Sequence, residues 1–249
     1  MPDADPDYYD HARLELLDLF PNAPKRLLDV GCGSGVTGAA AKTRWPGVEV
    51  IGIEIVPDAA RRAAARLDRV IEGSAETLDL AASGVAGVDG VLLADVLEHL
   101  VDPWRFLRGL RSVLAPDAVV IASIPNIGNL WLLDELAAGR FTYAGSGLLD
   151  KTHLRFFTRQ TIAALFDGAG YDIVRWERVT DGKVDDATRR RILGVMLPVP
   201  LAGRVAGQRV TVRGVDDDAY QDLRTYVFFV VARPRTGKSG GTAGDGDDE

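Results

Sequence analysis

A short apolar segment that breaks into three closely spaced glycines constrains the fold of this chain most. Residues 26–30 read Arg-Leu-Leu-Asp-Val, and Gly31, Gly33 and Gly35 precede a stretch that predicts a helix. A buried strand that turns directly into a helix lets backbone N–H groups face a ligand with no Cβ in the way. The pattern therefore predicts an α/β fold that binds a nucleotide-like cofactor at this turn.

The spacing of the glycines excludes two common cofactor loops. A dinucleotide-binding turn needs a glycine at position 36, which is Val36. A phosphate loop needs Gly-Lys-Ser/Thr after four intervening residues, whereas two alanines follow Gly38. The remaining pattern, Asp-x-Gly-x-Gly-x-Gly beginning at Asp29, resembles the class I S-adenosylmethionine-dependent methyltransferases.

Five residues fall where that family places its cofactor contacts. A second apolar strand ends in Glu54, about 20 positions beyond the glycines, where a carboxylate can accept hydrogen bonds from ribose hydroxyls. The resemblance implies that Asp29 orients the turn and meets the methionine amino group, while Asp95 closes the site beneath the methionine. It also implies that Ser74 and Ala75 meet adenine, although an aspartate is usual in the family at position 74.

Two other motifs narrow the resemblance. Residues 94–100 read Ala-Asp-Val-Leu-Glu-His-Leu, with Asp-Pro soon after, as in ubiquinone-type O-methyltransferases. Residues 147–157 resemble a motif of bacterial methyltransferases encoded among glycan and O-antigen biosynthesis functions. The family resemblance implies a Rossmann-like, seven-stranded, mostly parallel sheet with helices on both faces. It also implies that the last strand is antiparallel and lies between the fifth and sixth.

The pattern of apolar and helical stretches predicts the order of elements. Strands are expected near residues 26, 48, 69, 88 and 118, and over Tyr171–Val179 and Leu223–Ala232. Helices are expected over 8–20, near 36, 57 and 103, and from an N-cap at Thr158 to about Ala169.

Length and composition favour one domain. A chain of 249 residues with 47% hydrophobic residues can bury one core, so residues 1–235 are expected to form a single methyltransferase domain. Insertions are expected near 126–157 and 180–220, and the polar tail 236–249 is expected to be disordered. The chain has no apolar run of 18 residues, a polar N-terminus and one cysteine, Cys32, which together predict a cytoplasmic location.

The net charge of the chain and the distribution of its arginines, carboxylates and histidines indicate which partners and metals it can bind. The net charge of −7 argues against nucleic acid as the main partner. The family resemblance implies a small molecule or glycan as the acceptor. The apolar, arginine-bordered stretch 189–213 allows weak contact with a membrane surface, although a lid or dimer contact is favoured. The oligomeric state stays open. Carboxylates are scattered and histidines few, so metal-dependent methylation is disfavoured.

His153 is the most informative titratable residue. Methyl transfer to a hydroxyl needs an exit for the proton, and an imidazole that titrates near neutrality suits that task. Asp150 stands three residues earlier and is expected to orient it as a carboxylate–histidine pair. The competing interpretation is that His153 only packs its loop, and His99 is expected to support the end of the fourth strand.

The sequence therefore predicts an S-adenosylmethionine-dependent methyltransferase that acts on a hydroxyl. Two alternatives stay open. The same scaffold can methylate a neutral amine without a base. A cofactor-binding protein without turnover, working beside a glycan-assembly enzyme, would carry the same glycine turn.

Overall fold

The computed structural model describes residues 12–180, 202–205, 208–211 and 217–236. The strands are β1 Arg26–Val30, β2 Glu49–Glu54, β3 Arg69–Glu72, β4 Val88–Ala94, β5 Leu114–Pro125, β6 Tyr171–Val179, β7 Ala202–Val205, β8 Gln208–Thr211 and β9 Val227–Pro234. The α-helices are α1 Leu14–Leu17, α2 Val36–Arg44, α3 Pro57–Ala64, α4 Pro103–Leu110, α5 Leu130–Ala137, α6 Arg159–Gly168 and α7 Asp217–Arg224. Two 3-10 helices lie at Leu97–His99 and Arg111–Val113.

Seven strands form one sheet in the order β3-β2-β1-β4-β5-β9-β6. The pairs among the first five strands are parallel, and β9 runs antiparallel between β5 and β6. This arrangement confirms the predicted mostly parallel sheet with its last strand antiparallel. Because the carboxyl ends of parallel strands meet at one edge, the turns after β1, β2 and β4 lie together there.

Helices cover both faces of the sheet, as predicted. One core contains alternate strand residues such as Leu28 and Val30 and packs against α4 and α6. The other contains Leu27 and packs against α1, α2 and α3. Alternation along β1 thus sends neighbouring apolar side chains to opposite faces, which is why the strand reads as a continuous apolar run.

The first predicted insertion is folded and anchored. It contains α5 and the loop that leads to Thr158, the N-cap of α6. The side-chain amide of Asn126 donates to the carbonyl oxygens of Asp222 and Thr225, at 2.8 and 2.9 Å. The hydroxyl of Tyr226 accepts from the backbone N–H of Leu148 at 3.2 Å. The loop between β5 and α6 is therefore held against the segment that enters β9.

Two element boundaries differ from the predictions. Only Leu14–Leu17 is helical within the described part of the predicted helix 8–20. The last strand begins at Val227, because the residues up to Arg224 form α7, where Asp222 pairs with Arg178 of β6.

Several predictions lie largely outside the described residues. They concern the surface stretch 189–213, most of the insertion 180–220 and the tail 236–249. In this part of the chain, the structure describes only residue 180, the hairpin β7–β8 and residues 217–236. Within the described ranges, no helix is long and apolar enough to cross a bilayer.

Candidate active site

The glycine turn after β1 has the geometry that its sequence predicts. Gly31, Gly33 and Gly35 all have positive φ, at 66, 56 and 81°, a region that side chains with Cβ rarely adopt. The N–H of Gly31 donates to the Ile53 carbonyl at 2.8 Å. A Cβ on Gly35 would lie 3.0 Å from Cα of Ala63, so the turn also packs closely on α3.

Glu54 lies at the end of β2, and its carboxylate holds the glycine turn. Its Oε2 accepts from the N–H of Gly33 at 2.8 Å, and its Oε1 accepts from the N–H of Val56 at 2.8 Å. Each carboxylate oxygen can accept a second hydrogen bond, which leaves capacity for ribose hydroxyls. The side chain that was predicted to bind ribose therefore also fixes the turn.

Asp29 is buried beside the turn. The residue is 2% exposed, and its Oδ2 has no hydrogen-bond partner in the described part of the chain. Burial and the nearby Glu54 raise the pKa of Asp29 to about 7. This position suits an orienting role, and the contact of Asp29 with the methionine amino group stays a prediction.

Cys32 within the turn is also buried, and burial raises the pKa of its thiol. A Cβ on Gly52 would approach its Sγ to 2.6 Å, so the thiol fills space against β2. This packing agrees with a structural rather than a nucleophilic cysteine.

Asp95 follows β4 in a strained conformation and forms an ion pair. Its φ is 53°, and it is the only non-glycine residue with positive φ in the described ranges. The hydroxyl of Ser123 both accepts from the Asp95 N–H and donates to its Oδ1, each at 2.8 Å. Arg13 donates to the other carboxylate oxygen, and its own N–H donates to Thr37 of α2 at 3.0 Å. Sequence reasoning missed Arg13.

Ser74 and Ala75 begin a turn after β3. The Ser74 hydroxyl accepts from the N–H of Glu76 at 3.3 Å, and its carbonyl accepts from Thr77 and Leu78. Ala75 packs partly buried against the main core. Both residues stand at the same edge of the sheet as the glycine turn, and their contact with adenine stays a prediction.

The structure brings His153 against the 3-10 helix that follows Asp95. One ligand atom each from Glu98, His99 and His153 lies within 4.8 Å of the others, and the two imidazole rings are 4.8 Å apart. The carbonyl of Glu98 accepts from the N–H groups after His153 in the loop, at 2.8 and 2.9 Å. These three residues are named here the carboxylate–histidine cluster.

The hydrogen bonds of the Asp150 carboxylate lead to His99 and not to His153. Its Oδ1 accepts from the N–H and hydroxyl of Thr152, at 2.8 and 2.7 Å. Because the Thr152 hydroxyl donates its proton to Asp150, the hydroxyl oxygen accepts from Nδ1 of His99 at 3.2 Å. The carbonyl oxygen of Thr152 also accepts from this Nδ1, at 3.2 Å. His153 instead places Nδ1 3.4 Å from the Leu148 carbonyl. No hydrogen bond between the Asp150 carboxylate and the His153 ring is seen in the described residues, where Asp150 acts on His153 through its charge.

Burial governs the charge of the carboxylate–histidine cluster. The pKa of Glu98 is raised to about 8, chiefly by burial, with Asp150 adding to the rise and Arg13 opposing it. Burial also lowers the pKa of His99 and, together with the neighbouring His99, that of His153. Both imidazoles are therefore held neutral. His99 belongs to this cluster instead of only supporting the end of the strand, which sequence reasoning had favoured.

Comparison with known proteins decides the family. A family model described as a methyltransferase domain matches residues 5–175, more than half of the 249-residue chain. The chain belongs to this methyltransferase family. The match includes the glycine turn, Glu54, Asp95 and the carboxylate–histidine cluster. It confirms the predicted family and, with it, S-adenosylmethionine as the cofactor.

Individual relatives of this methyltransferase are distant. A ubiquinone biosynthesis O-methyltransferase of Cereibacter sphaeroides is 28% identical over 162 residues, 60% of this chain and 61% of that protein. A trans-aconitate 2-methyltransferase of Methylobacterium radiotolerans is 33% identical over 113 residues, 45% and 43% of the two chains. The match thus spans about three fifths of the first relative and less than half of the second.

Solved structures show the same fold. A SAM-dependent methyltransferase from Archaeoglobus fulgidus has a TM-score of 0.58 at 17% identity, over 91% of this chain and 96% of that one. A (4+2)-cyclase, SpnF, has a TM-score of 0.55 at 17% identity, over 93% and 81%. Since a cyclase shares the fold of the methyltransferase, the fold alone does not determine the reaction.

Proposed function

We propose that the protein transfers the methyl group of S-adenosylmethionine to a hydroxyl of a small molecule or glycan. The observation that carries this proposal is the position of the carboxylate–histidine cluster. It directly follows Asp95 at the edge of the sheet where the glycine turn and Glu54 also lie. The cofactor residues and a set of proton-accepting groups therefore share one edge.

The residues of the cofactor half match the chemistry of S-adenosylmethionine. Glu54 offers carboxylate oxygens to the ribose, and the turn from Gly31 to Gly35 approaches the methionine part. Arg13 and Asp95 offer charges opposite to those of the methionine carboxylate and ammonium groups. When bound, the cofactor supplies a methyl group on a positively charged sulfur, which an oxygen lone pair displaces in line.

The carboxylate–histidine cluster forms the acceptor half of the proposed site, the part that contacts the molecule to be methylated. Because Nδ1 of His153 is bonded to the Leu148 carbonyl, its Nε2 is the ring nitrogen open to the acceptor. We propose that His153 contacts the acceptor hydroxyl and that Nε2 of its ring accepts the hydroxyl proton. Asp150 and Thr152 contribute by fixing His99 beside it.

Exposed aromatic side chains beside the cluster indicate the body of the acceptor. Phe141 contacts both Tyr143 and Phe156 edge-to-face, and Phe156 in turn lies 6.4 Å from the His153 ring. The three side chains are 38–57% exposed. An exposed aromatic surface next to a polar cluster suits an acceptor molecule with a planar or apolar body and one reactive hydroxyl. A glycan acceptor is favoured only by the resemblance of residues 147–157.

A methyl-transfer assay over a mixed acceptor panel tests the proposal. The purified chain is incubated with radiolabelled S-adenosylmethionine and with phenols, sugar nucleotides, glycolipids and small amines. We expect S-adenosylhomocysteine to form with a hydroxyl acceptor. Turnover with amines alone would favour N-methylation. Bound cofactor without turnover over the whole panel would favour the non-catalytic alternative.

A further inference from the structure

Glu98 is a buried carboxylate that lacks a partner. It is 1% exposed, and neither Oε1 nor Oε2 has a hydrogen-bond partner among the described residues. A buried carboxylate without hydrogen bonds or a counter-charge is costly, so it must be protonated or neutralised by a ligand. The charged groups that act on its pKa are Arg13, which is already paired with Asp95, and Asp150, whose charge opposes ionisation of Glu98.

The two histidines beside Glu98 are set in the manner of metal ligands. His99 places Nδ1 against the carbonyl and hydroxyl of Thr152, and His153 places Nδ1 near the carbonyl of Leu148. Imidazoles that ligate metals typically donate the other ring N–H to such oxygens, which fixes the tautomer and orientation. Each ring is thereby left with an unprotonated Nε2.

The geometry points to a divalent transition-metal site formed by Glu98, His99 and His153. Two imidazole nitrogens and one carboxylate oxygen within 4.8 Å of one another form a donor set that suits Mn²⁺, Co²⁺, Zn²⁺ or Fe²⁺ better than Mg²⁺. Three protein ligands leave coordination positions open, as in catalytic rather than structural sites. Thr152 links the Asp150 carboxylate to His99 by hydrogen bonds, and the negative charge of this carboxylate favours a cation in the cluster.

The role of this cation rests on the proposed function. A hydroxyl oxygen bound at an open position loses its proton to solvent more readily, because the cation stabilises the alkoxide. The alkoxide lone pair then forms the new O–CH₃ bond while the S–CH₃ bond breaks and S-adenosylhomocysteine departs. No electron is transferred to or from the cation. With the cation bound, Nε2 of His153 is a metal ligand instead of contacting the hydroxyl directly, and His153 assists proton loss by holding the cation.

Cobalt titration of the full-length protein, stripped with chelator, tests the site without any acceptor. We expect a single saturable Co²⁺ binding event by calorimetry, with visible absorption bands that report nitrogen ligands. Glu98→Gln and His153→Ala should each weaken Co²⁺ binding by more than about 100-fold, beyond the loss typical of outer-shell changes. The control Glu177→Gln, on β6, changes an exposed carboxylate paired with Arg175 and should bind as the native chain does.

Thr152→Val tests whether the network orients the ligands. It removes the hydroxyl that joins Asp150 to His99 and should weaken Co²⁺ binding by about 10- to 100-fold. Binding of S-adenosylhomocysteine serves as the folding check for every variant. Native protein that binds S-adenosylhomocysteine but no Co²⁺ would overturn the metal site and leave the methyltransferase proposal intact. Co²⁺ binding that Glu98→Gln and His153→Ala leave unchanged would also overturn it.

Discussion

Arg13 donates a hydrogen bond to the carboxylate of Asp95 and so joins the start of α1 to the end of β4. The guanidinium also lies 5.7 Å from the centre of the Phe229 ring, and the Arg13 backbone is bonded to Thr37 of α2. A segment that precedes the sheet thus reaches across to the residues that follow the glycine turn. The pair places opposite charges where the methionine part of the cofactor is proposed to bind.

We expect Arg13→Ala to weaken S-adenosylhomocysteine binding by roughly 10- to 150-fold, the effect of losing a charged hydrogen bond. Calorimetry measures this directly. Arg44→Ala is the matched control, because Arg44 is exposed and pairs with Asp18 instead. Equal affinities for the two variants would remove Arg13 from the cofactor site.

Glu54→Ala should reduce cofactor affinity by roughly 10- to 150-fold, because it removes the charged acceptor for the ribose. It should also lower stability, since the N–H groups of Gly33 and Val56 lose their acceptors. Glu54→Gln keeps one acceptor oxygen and should lie between the native chain and the alanine variant in both measurements. A folded alanine variant with native affinity would contradict the ribose assignment.

His153→Ala should lower kcat by about 10²- to 10⁴-fold, the usual contribution of a group that assists proton transfer. Cofactor affinity should stay nearly unchanged, since His153 lies in the acceptor half. Gln160→Ala, an exposed change on the neighbouring helix α6, serves as the control. A near-normal kcat would return His153 to a packing role, and an effect on acceptor KM alone would make it a binding residue.

Asp29 should make stability depend on pH. Its pKa is raised from 3.8 to about 7 in the folded chain, so between these values the folded state holds a proton that the unfolded state has released. The stabilisation is complete below about pH 4 and is lost as the pH rises to about 7.

Asp29→Asn cannot ionise and should be more stable than the native chain at pH 8, by about 1–4 kcal/mol at most, with the difference shrinking toward pH 5. Urea unfolding at a series of pH values measures it. Asp117→Asn, at an exposed position on β5, should not alter the profile. A native-like pH profile for Asp29→Asn would show that the buried carboxyl does not titrate in this range.

The sequence by itself determined the parallel part of the sheet and the glycine turn with Glu54 beside it. Three glycines after an apolar strand predict a turn with positive φ, and Glu54 at the end of the next strand predicts a carboxylate beside it. Local backbone chemistry and strand periodicity are sufficient for such predictions, since the carboxyl ends of parallel strands meet at one edge. Thr158 likewise predicted the start of α6 through its capping preference.

Only the tertiary structure decided which residues surround His153. Glu98 and His99 are far in sequence from His153, and the anchoring of the intervening loop through Asn126 and Tyr226 brings them together. The proposed metal site depends on this proximity, which the spacing of the ligands along the chain does not reveal. Burial raises the pKa of Glu98 and lowers the pKa of both imidazoles, and it depends on neighbours from several elements. Sequence spacing cannot supply it, because desolvation is a property of the packed surroundings and not of the local chain.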